Sequence, residues 1–302
     1  MSTNTLALIL LVAACTGCGR TWPEPPPVDP AKYQEDYRAW REESQETLLF
    51  AVKILGIWPL ESGDNAFGSD PSLSIVLPAR VSPARAGSFH FAGNKVEVVP
   101  APGVPLRHGD SLLKAPAEVE EVALGSVTLQ VFSMGEGPTE RRFVTASDDR
   151  HPALEHLAPI ETFPVDPRWR VAARFDAYKA PRSVRIADVR GGATEMSAPG
   201  DLVFRVDGQE QRLMAIGSPE SNEFFVMFKD PTNQSTTYGG YRMLHPQVVG
   251  DGGWTVLDFN IASNPPCAYS PYTTCPLPPP QNRLQVAIEA GEKRHPTAHG
   301  FQ

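Results

Sequence analysis

The sequence predicts a mainly β fold: one N-terminal helix, then a β-sandwich, then a second β-rich sandwich or barrel domain. Three observations predict it. From Gly56 onward, short apolar runs are broken by Gly, Pro, Asn and Asp at intervals of roughly 8 to 12 residues, the texture of sandwiches and barrels. Several runs alternate cleanly, with Val171, Ala173 and Phe175 on one face and Arg170, Arg174 and Asp176 on the other. Helical spacing of apolar residues occurs once, between Asp29 and Lys53, and no strand–helix–strand rhythm follows it.

Taken in order, residues 1–18 read as a lipoprotein signal peptide, with an apolar core from Leu6 to Ala14. Val12-Ala13-Ala14-Cys15 resembles the bacterial lipobox, in which the cysteine becomes the lipidated first residue, and Thr16-Gly17-Cys18 offers a second register. Residues 19–28 form a Pro-rich tether, because TWPEPPPVDP favours an extended, polyproline-like spacer. Residues 29–54 form an amphipathic helix: Asp29 caps it, Pro30 takes its first position, and Tyr33, Tyr37, Trp40, Leu48, Leu49 and Val52 make one stripe that docks on the body. The β-sandwich spans 55–136, the C-terminal β-rich domain 140–293, and 294–302 is a disordered tail. The boundary lies near Gly135 to Arg142, where GEGPTE interrupts the strands. Expected strands include Lys95–Val99, Val127–Ser133, Trp169–Tyr178, Ser183–Val189, Thr236–Leu244, Trp254–Ile261 and Arg283–Ile288.

With 302 residues and 41% hydrophobic content the chain can bury two cores of ordinary size. A net charge of −8 without any Lys/Arg-rich run argues against nucleic acid and against a polybasic membrane patch. Membrane contact is expected only through the N-terminal lipid, on the periplasmic or extracellular face of a bacterial envelope.

Two resemblances add to this. FGSDPSLSIVLP, the run from Ala86 to Val99, LRHGDSLL and VALGSVTLQVF are similar to the forkhead-associated domain, a β-sandwich that reads phosphothreonine. That family follows its first glycine with arginine, whereas Gly68 is followed here by Ser69, and the Ser-x-x-His spacing is missing between Val81 and His90. The resemblance therefore implies a scaffold without the phosphate grip. Over its mature length the chain is similar to a bacterial family catalogued as domain of unknown function 1684, on FGSDPS at Phe67–Ser72, FPVDPRWRVAARF at Phe163–Phe175, TYGGYRML at Thr237–Leu244 and the stretch Leu257–Glu292. This implies a β-rich fold and no known activity.

The chemistry-bearing residues concentrate in that last stretch. Cys267 and Cys275 close a short loop, and a disulfide there would add roughly 2.5 kcal/mol. Buried free thiols, or a zinc set completed by His295 and His299, are the alternatives. On an extended segment Tyr238, Gly240, Arg242 and Leu244 share a face, with Gly240 leaving a gap between Tyr238 and Arg242. Arg242 either meets Asp258 in a buried pair or holds a carboxylate or phosphate bidentately. A ligand site would recruit Tyr238, Arg242, Asp258, Asn260, Asn264 and Asn282, a set rich in hydrogen-bonding groups and poor in nucleophiles. Glu289 and Glu292 flank Ala290-Gly291, where a glycine turn could point both inward. No G-x-S-x-G, H-E-x-x-H, P-loop or dinucleotide motif is present.

The expectation is an envelope lipoprotein with a non-catalytic module, without cofactor or metal, that binds a small polar or anionic ligand or an envelope protein partner. The rival readings are a hydrolase using Asp258 or Glu289 with Arg242 and Tyr238 orienting the substrate, and a purely structural envelope protein.

Overall fold

A computed structural model describes residues 22–134, 140–188, 192–218, 222–247, 253–273 and 275–297. The expected signal peptide with Cys15 and Cys18, the tether before Trp22, Val189 and His299 lie outside the described residues.

From Trp22 on, the tether lies against the body. The Trp22 indole donates to the Ala172 carbonyl at 3.0 Å, meets Trp254 edge-on at 5.0 Å between ring centroids, and carries the Arg174 and Arg205 guanidinium groups over its face. Helix α1 (Pro30–Lys53) starts where Asp29 accepts from the Lys32 amide and Pro30 fixes the first turn. Its first half docks through polar groups: the Tyr33 hydroxyl donates to Asp258 at 2.9 Å, Trp40 donates to Ser263 at 2.8 Å, and Arg41 donates to Thr162 at 3.1 Å. Its second half docks through Leu48, Ala51 and Val52, which join a cluster with Ile160, Met227 and Tyr238.

Eleven strands follow in the first body: β1 (Ile54–Pro59), β2 (Gly63–Gly68), β3 (Ile75–Val76), β4 (Gly87–Ala92), β5 (Lys95–Pro100), β6 (Arg107–His108), β7 (Ser111–Leu112), β8 (Ala117–Glu118), β9 (Glu121–Leu124), β10 (Val127–Met134) and β11 (Arg141–Asp148). They form a six-stranded sheet, β1-β11-β10-β9-β6-β7, and a five-stranded sheet, β3-β2-β4-β5-β8. Pairing is antiparallel except between β2 and β3. Phe67, Phe89, Leu106, Leu129 and Val144, contributed by both sheets and the segment between them, fill one core. The boundary was expected at Gly135–Arg142, where residues 135–139 lie outside the described residues. β10 and β11 on either side of it pair in register from Val127 opposite Asp148 to Met134 opposite Arg141, so the six-stranded sheet of the first body takes in β11 through Asp148.

The second body holds β12 (Arg170–Ala187), β13 (Ala193–Val206), β14 (Gln209–Ala215), β15 (Val226–Phe228), β16 (Arg242–Leu244) and β17 (Trp254–Asp258). A sheet ordered β14-β13-β12-β17 lies beside the β15-β16 hairpin pair, and among the described residues no sheet closes into a barrel. Trp169–Tyr178 and Ser183–Val189, expected as two strands, form one long β12 with a register shift between Ala177 and Arg182. Thr236–Leu244 is extended only at Arg242–Leu244, because Asp230 and Asn233 build a capping box that coils the preceding chain into a 3-10 turn at Pro231–Gln234. Arg283–Ile288 makes a single bridge, from Arg283 to Lys229, instead of a strand. Cys267 and Cys275 form a disulfide with Cα atoms 6.0 Å apart, packed against Tyr238. The tail is ordered further than expected: Arg294 donates to the Thr237 carbonyl at 3.2 Å, and His295 is buried with its Nε2 2.8 Å from the Ala158 carbonyl.

Candidate functional site

Arg242 does not meet Asp258. Its side chain is 0% exposed and faces Asp230, with Nη2 2.6 Å from Oδ2. Further donor bonds run to the carbonyls of Ile288 (2.9 Å) and Ala290, and to the Thr232 hydroxyl at 3.3 Å, while the guanidinium lies over Phe228. Burial pushes the guanidinium pKa down, opposed by the charge and hydrogen bond of Asp230. The Asp230 Oδ1 accepts from the Thr232 amide at 2.8 Å and from the Ile288 amide at 3.2 Å. Arg242 therefore staples the 286–292 segment to β15 and β16, and no oxyanion can reach it.

Four of the other expected ligand residues are also engaged internally. Asp258 accepts from Tyr33 and from the Asn260 amide at 3.0 Å, capping the turn Phe259–Ile261. Asn260 bonds both ways with the Asp166 backbone, at 3.0 and 3.1 Å. Asn282 accepts from the Met214 amide at 2.7 Å and donates to the carbonyls of Met214 and Met227, standing in for a strand between β14 and β15. Tyr238 is buried, its hydroxyl directed at the Cys267 carbonyl and its pKa pushed up to about 12 by burial. Glu289 is exposed.

Asn264 is different. It is 1% exposed and lines a cleft of about 610 Å³ between α1 and the second body. Its Nδ2 donates to the Lys293 carbonyl at 2.9 Å, which fixes the amide orientation, and its Oδ1 has no partner among the described residues. An unpaired buried acceptor costs about 1–3 kcal/mol unless something outside the chain meets it.

Glu292, read from sequence only as one of a flanking pair, is the second element of this cleft. Gly291 takes φ +72°, and a Cβ there would sit 2.5 Å from the Ala262 carbonyl, so glycine alone turns the chain to send Glu292 inward. The carboxyl group, 1% exposed, accepts from the Asn264 amide at 2.7 Å and the Tyr269 hydroxyl at 2.8 Å, and bonds with Ser44 on α1. Burial raises its pKa, opposed by these hydrogen bonds and by the charge of Arg41. Strand alternation in β16 completes the wall: Arg242 and Leu244 point inward, while Met243 and His245 line the cleft. Helical periodicity brings Trp40, Glu43, Ser44 and Thr47 onto the facing side. Of these, Trp40 alone belongs to the helix stripe legible in the sequence, and nothing local says which strands that stripe faces.

Residues 155–293 match a family described as "Protein of unknown function (DUF1684)". The chain thus carries a DUF1684 domain, which begins after the first body ends; the FGSDPS piece at Phe67–Ser72 lies outside the match. An uncharacterized protein of Haloarcula marismortui, solved in solution by NMR, is 31% identical over 48% of this chain and 80% of its own, with a TM-score of 0.40. No curated protein matches.

Two outcomes follow from the buried groups. Arg242→Ala, which leaves Asp230 buried and uncompensated, is expected to cost about 3–5 kcal/mol in urea unfolding, whereas Arg242→Met combined with Asp230→Leu regains most of it; an unchanged midpoint for Arg242→Ala would contradict the staple. For Glu292 the folded pKa lies above the unfolded one, so its stabilising contribution is complete below the unfolded pKa and is lost as pH rises through the folded one. Melting curves of wild type and Glu292→Gln should accordingly diverge in the variant's favour as pH rises from 4 towards 8, and parallel curves would refute the shift.

Proposed function

We propose that the protein is a non-catalytic module that binds a small polar ligand in the cleft beneath α1. The observation that carries the reading is the unpartnered Asn264 Oδ1, buried at the cleft wall beside the buried Glu292 carboxyl. Pockets of this size that hold one small molecule are commonly lined by apolar surface with a few fixed polar groups, and Trp40, Met243 and Ile261 supply the apolar part here. The anionic form of the reading has lost its cation, since Arg242 is enclosed with Asp230. The hydrolase alternative finds Asp258 engaged by Tyr33 and Asn260, and Glu289 out in solvent.

We also infer attachment to a bacterial envelope through Cys15. Val12-Ala13-Ala14-Cys15 supports it, and the Cys267–Cys275 pair suits an oxidising compartment. Metabolic labelling with palmitate should mark the wild-type chain and not Cys15→Ser; equal labelling would count against the anchor. The forkhead-associated-like character of residues 55–136 is retained as a scaffold reading, supported by its sequence pieces and by two sheets on one core. A phosphothreonine peptide that bound it would show the grip had survived the change at Ser69.

The ligand reading is tested by native mass spectrometry of the chain purified after export, against the same sample denatured. The expected result is an added mass that denaturation releases, present in wild type and absent from Asn264→Leu and from Ala39→Trp. Ala39 is exposed on the helix and lines the cleft, so the second variant blocks it without touching the polar wall. A bare wild-type chain, or a mass retained by both variants, would remove the cleft from consideration.

A further inference from the structure

The donors and acceptors of the cleft wall are unequally used. The Trp40 indole donates to Ser263, Asn264 Nδ2 donates to the Lys293 carbonyl, and the Tyr269 hydroxyl donates to Glu292. Among the described residues, the buried acceptor of this wall without a donor is Asn264 Oδ1. The charges are unequal as well. Asp36, Glu43, Glu223 and Glu292 line the cleft, His245 joins them, and among the described residues no Lys or Arg does. Lys32 pairs with Asp36 at 2.7 Å, and Arg41 lies near Glu292, but Glu43, Glu223 and Glu292 form no ion pair among the described residues. Glu43 and Glu223 are exposed at the rim, while Glu292 is wholly inside. A buried carboxyl group that meets hydrogen-bond donors and feels the charges of Arg41 and Arg242 without an ion pair to either is costly in its charged form, and a cation entering the cleft would relieve that cost. Trp40, fixed by its bond to Ser263, adds an aromatic residue to the lining of the same space.

Resting on the ligand reading above, we propose that the ligand of this cleft is a small organic ammonium compound, whose N–H groups meet Asn264 Oδ1 and Glu292 while Trp40, Glu43 and Glu223 attract its charge. A carboxylate or phosphate compound would meet three carboxyl groups that hold no ion pair among the described residues, with no lysine or arginine in the described lining to receive it, and is rejected on the same grounds.

The test uses three probes that share a four-carbon chain and differ at their ends: 1,4-diaminobutane, 1,4-butanediol and succinate, titrated calorimetrically into the full chain at physiological salt. The diamine is expected to bind at least about tenfold more tightly than the diol, the difference of one charge-assisted hydrogen bond, and succinate is expected not to bind. Glu43→Gln and Glu223→Gln, both exposed positions that leave the fold intact, should each weaken the diamine about threefold or more and leave the diol unchanged. Equal binding of diol and diamine, binding of succinate, or silence from all three overturns the ammonium assignment. The binding reading is judged separately by the mass retained in native spectrometry, so the two can fail independently.

Discussion

The buried ion pair of Arg242 and Asp230 is the constraint on which the C-terminal half of this protein depends. Two charges that are individually expensive to bury are tolerable together because each has further hydrogen bonds to make. Those bonds reach two places at once. Asp230 caps the turn at Pro231–Gln234, and Arg242 gathers the carbonyls of Ile288 and Ala290, a stretch with no strand of its own. Once Ile288 and Ala290 are held, Gly291 turns the backbone and Glu292 enters the cleft. The polar wall of the site is thus a product of the staple one layer beneath it.

Much of the fold was legible and the site mostly was not, for a physical reason. Helix α1 announces itself through Asp29-Pro30 and its stripe, and β12 through the alternation of Val171, Ala173 and Phe175, because caps and periodicity are local. Strand ends were misjudged where side chains compete with the ladder: Asp230 and Asn233 divert the chain before Arg242, and Asn282 replaces a strand at Arg283–Ile288. The partner of Arg242 could not be read off, since a polar face shows that a charge is buried without showing which carboxylate turns towards it. Asn264 was legible as a polar residue in a braced loop, while Trp40, Ser44 and Tyr269 met it only through contacts that bring α1 across to the second body.

The arrangement also sorts the asparagines and acids of the Leu257–Glu292 stretch by role. Asn260, Asn282 and Asp258 complete backbone hydrogen bonds that turns and prolines leave open, and the protein meets all of their needs itself. Asn264 keeps one buried acceptor, Oδ1, that no donor among the described residues meets, and Glu292 beside it is a buried carboxyl group held by hydrogen bonds from Asn264, Tyr269 and Ser44. Buried polar groups left in that condition beside an opening mark the place where a fold is completed by something other than its own chain.

Helix α1 roofs a standing cleft lined by Asn264, whose Oδ1 is buried with no donor among the described residues. A crystal structure of the full chain tests it most directly. The account predicts ordered density from water or ligand within about 3 Å of Asn264 Oδ1, with Arg242 enclosed by Asp230 behind it. A structure in which α1 lies closed on this wall, with Oδ1 bonded to a donor of the protein itself, would contradict it.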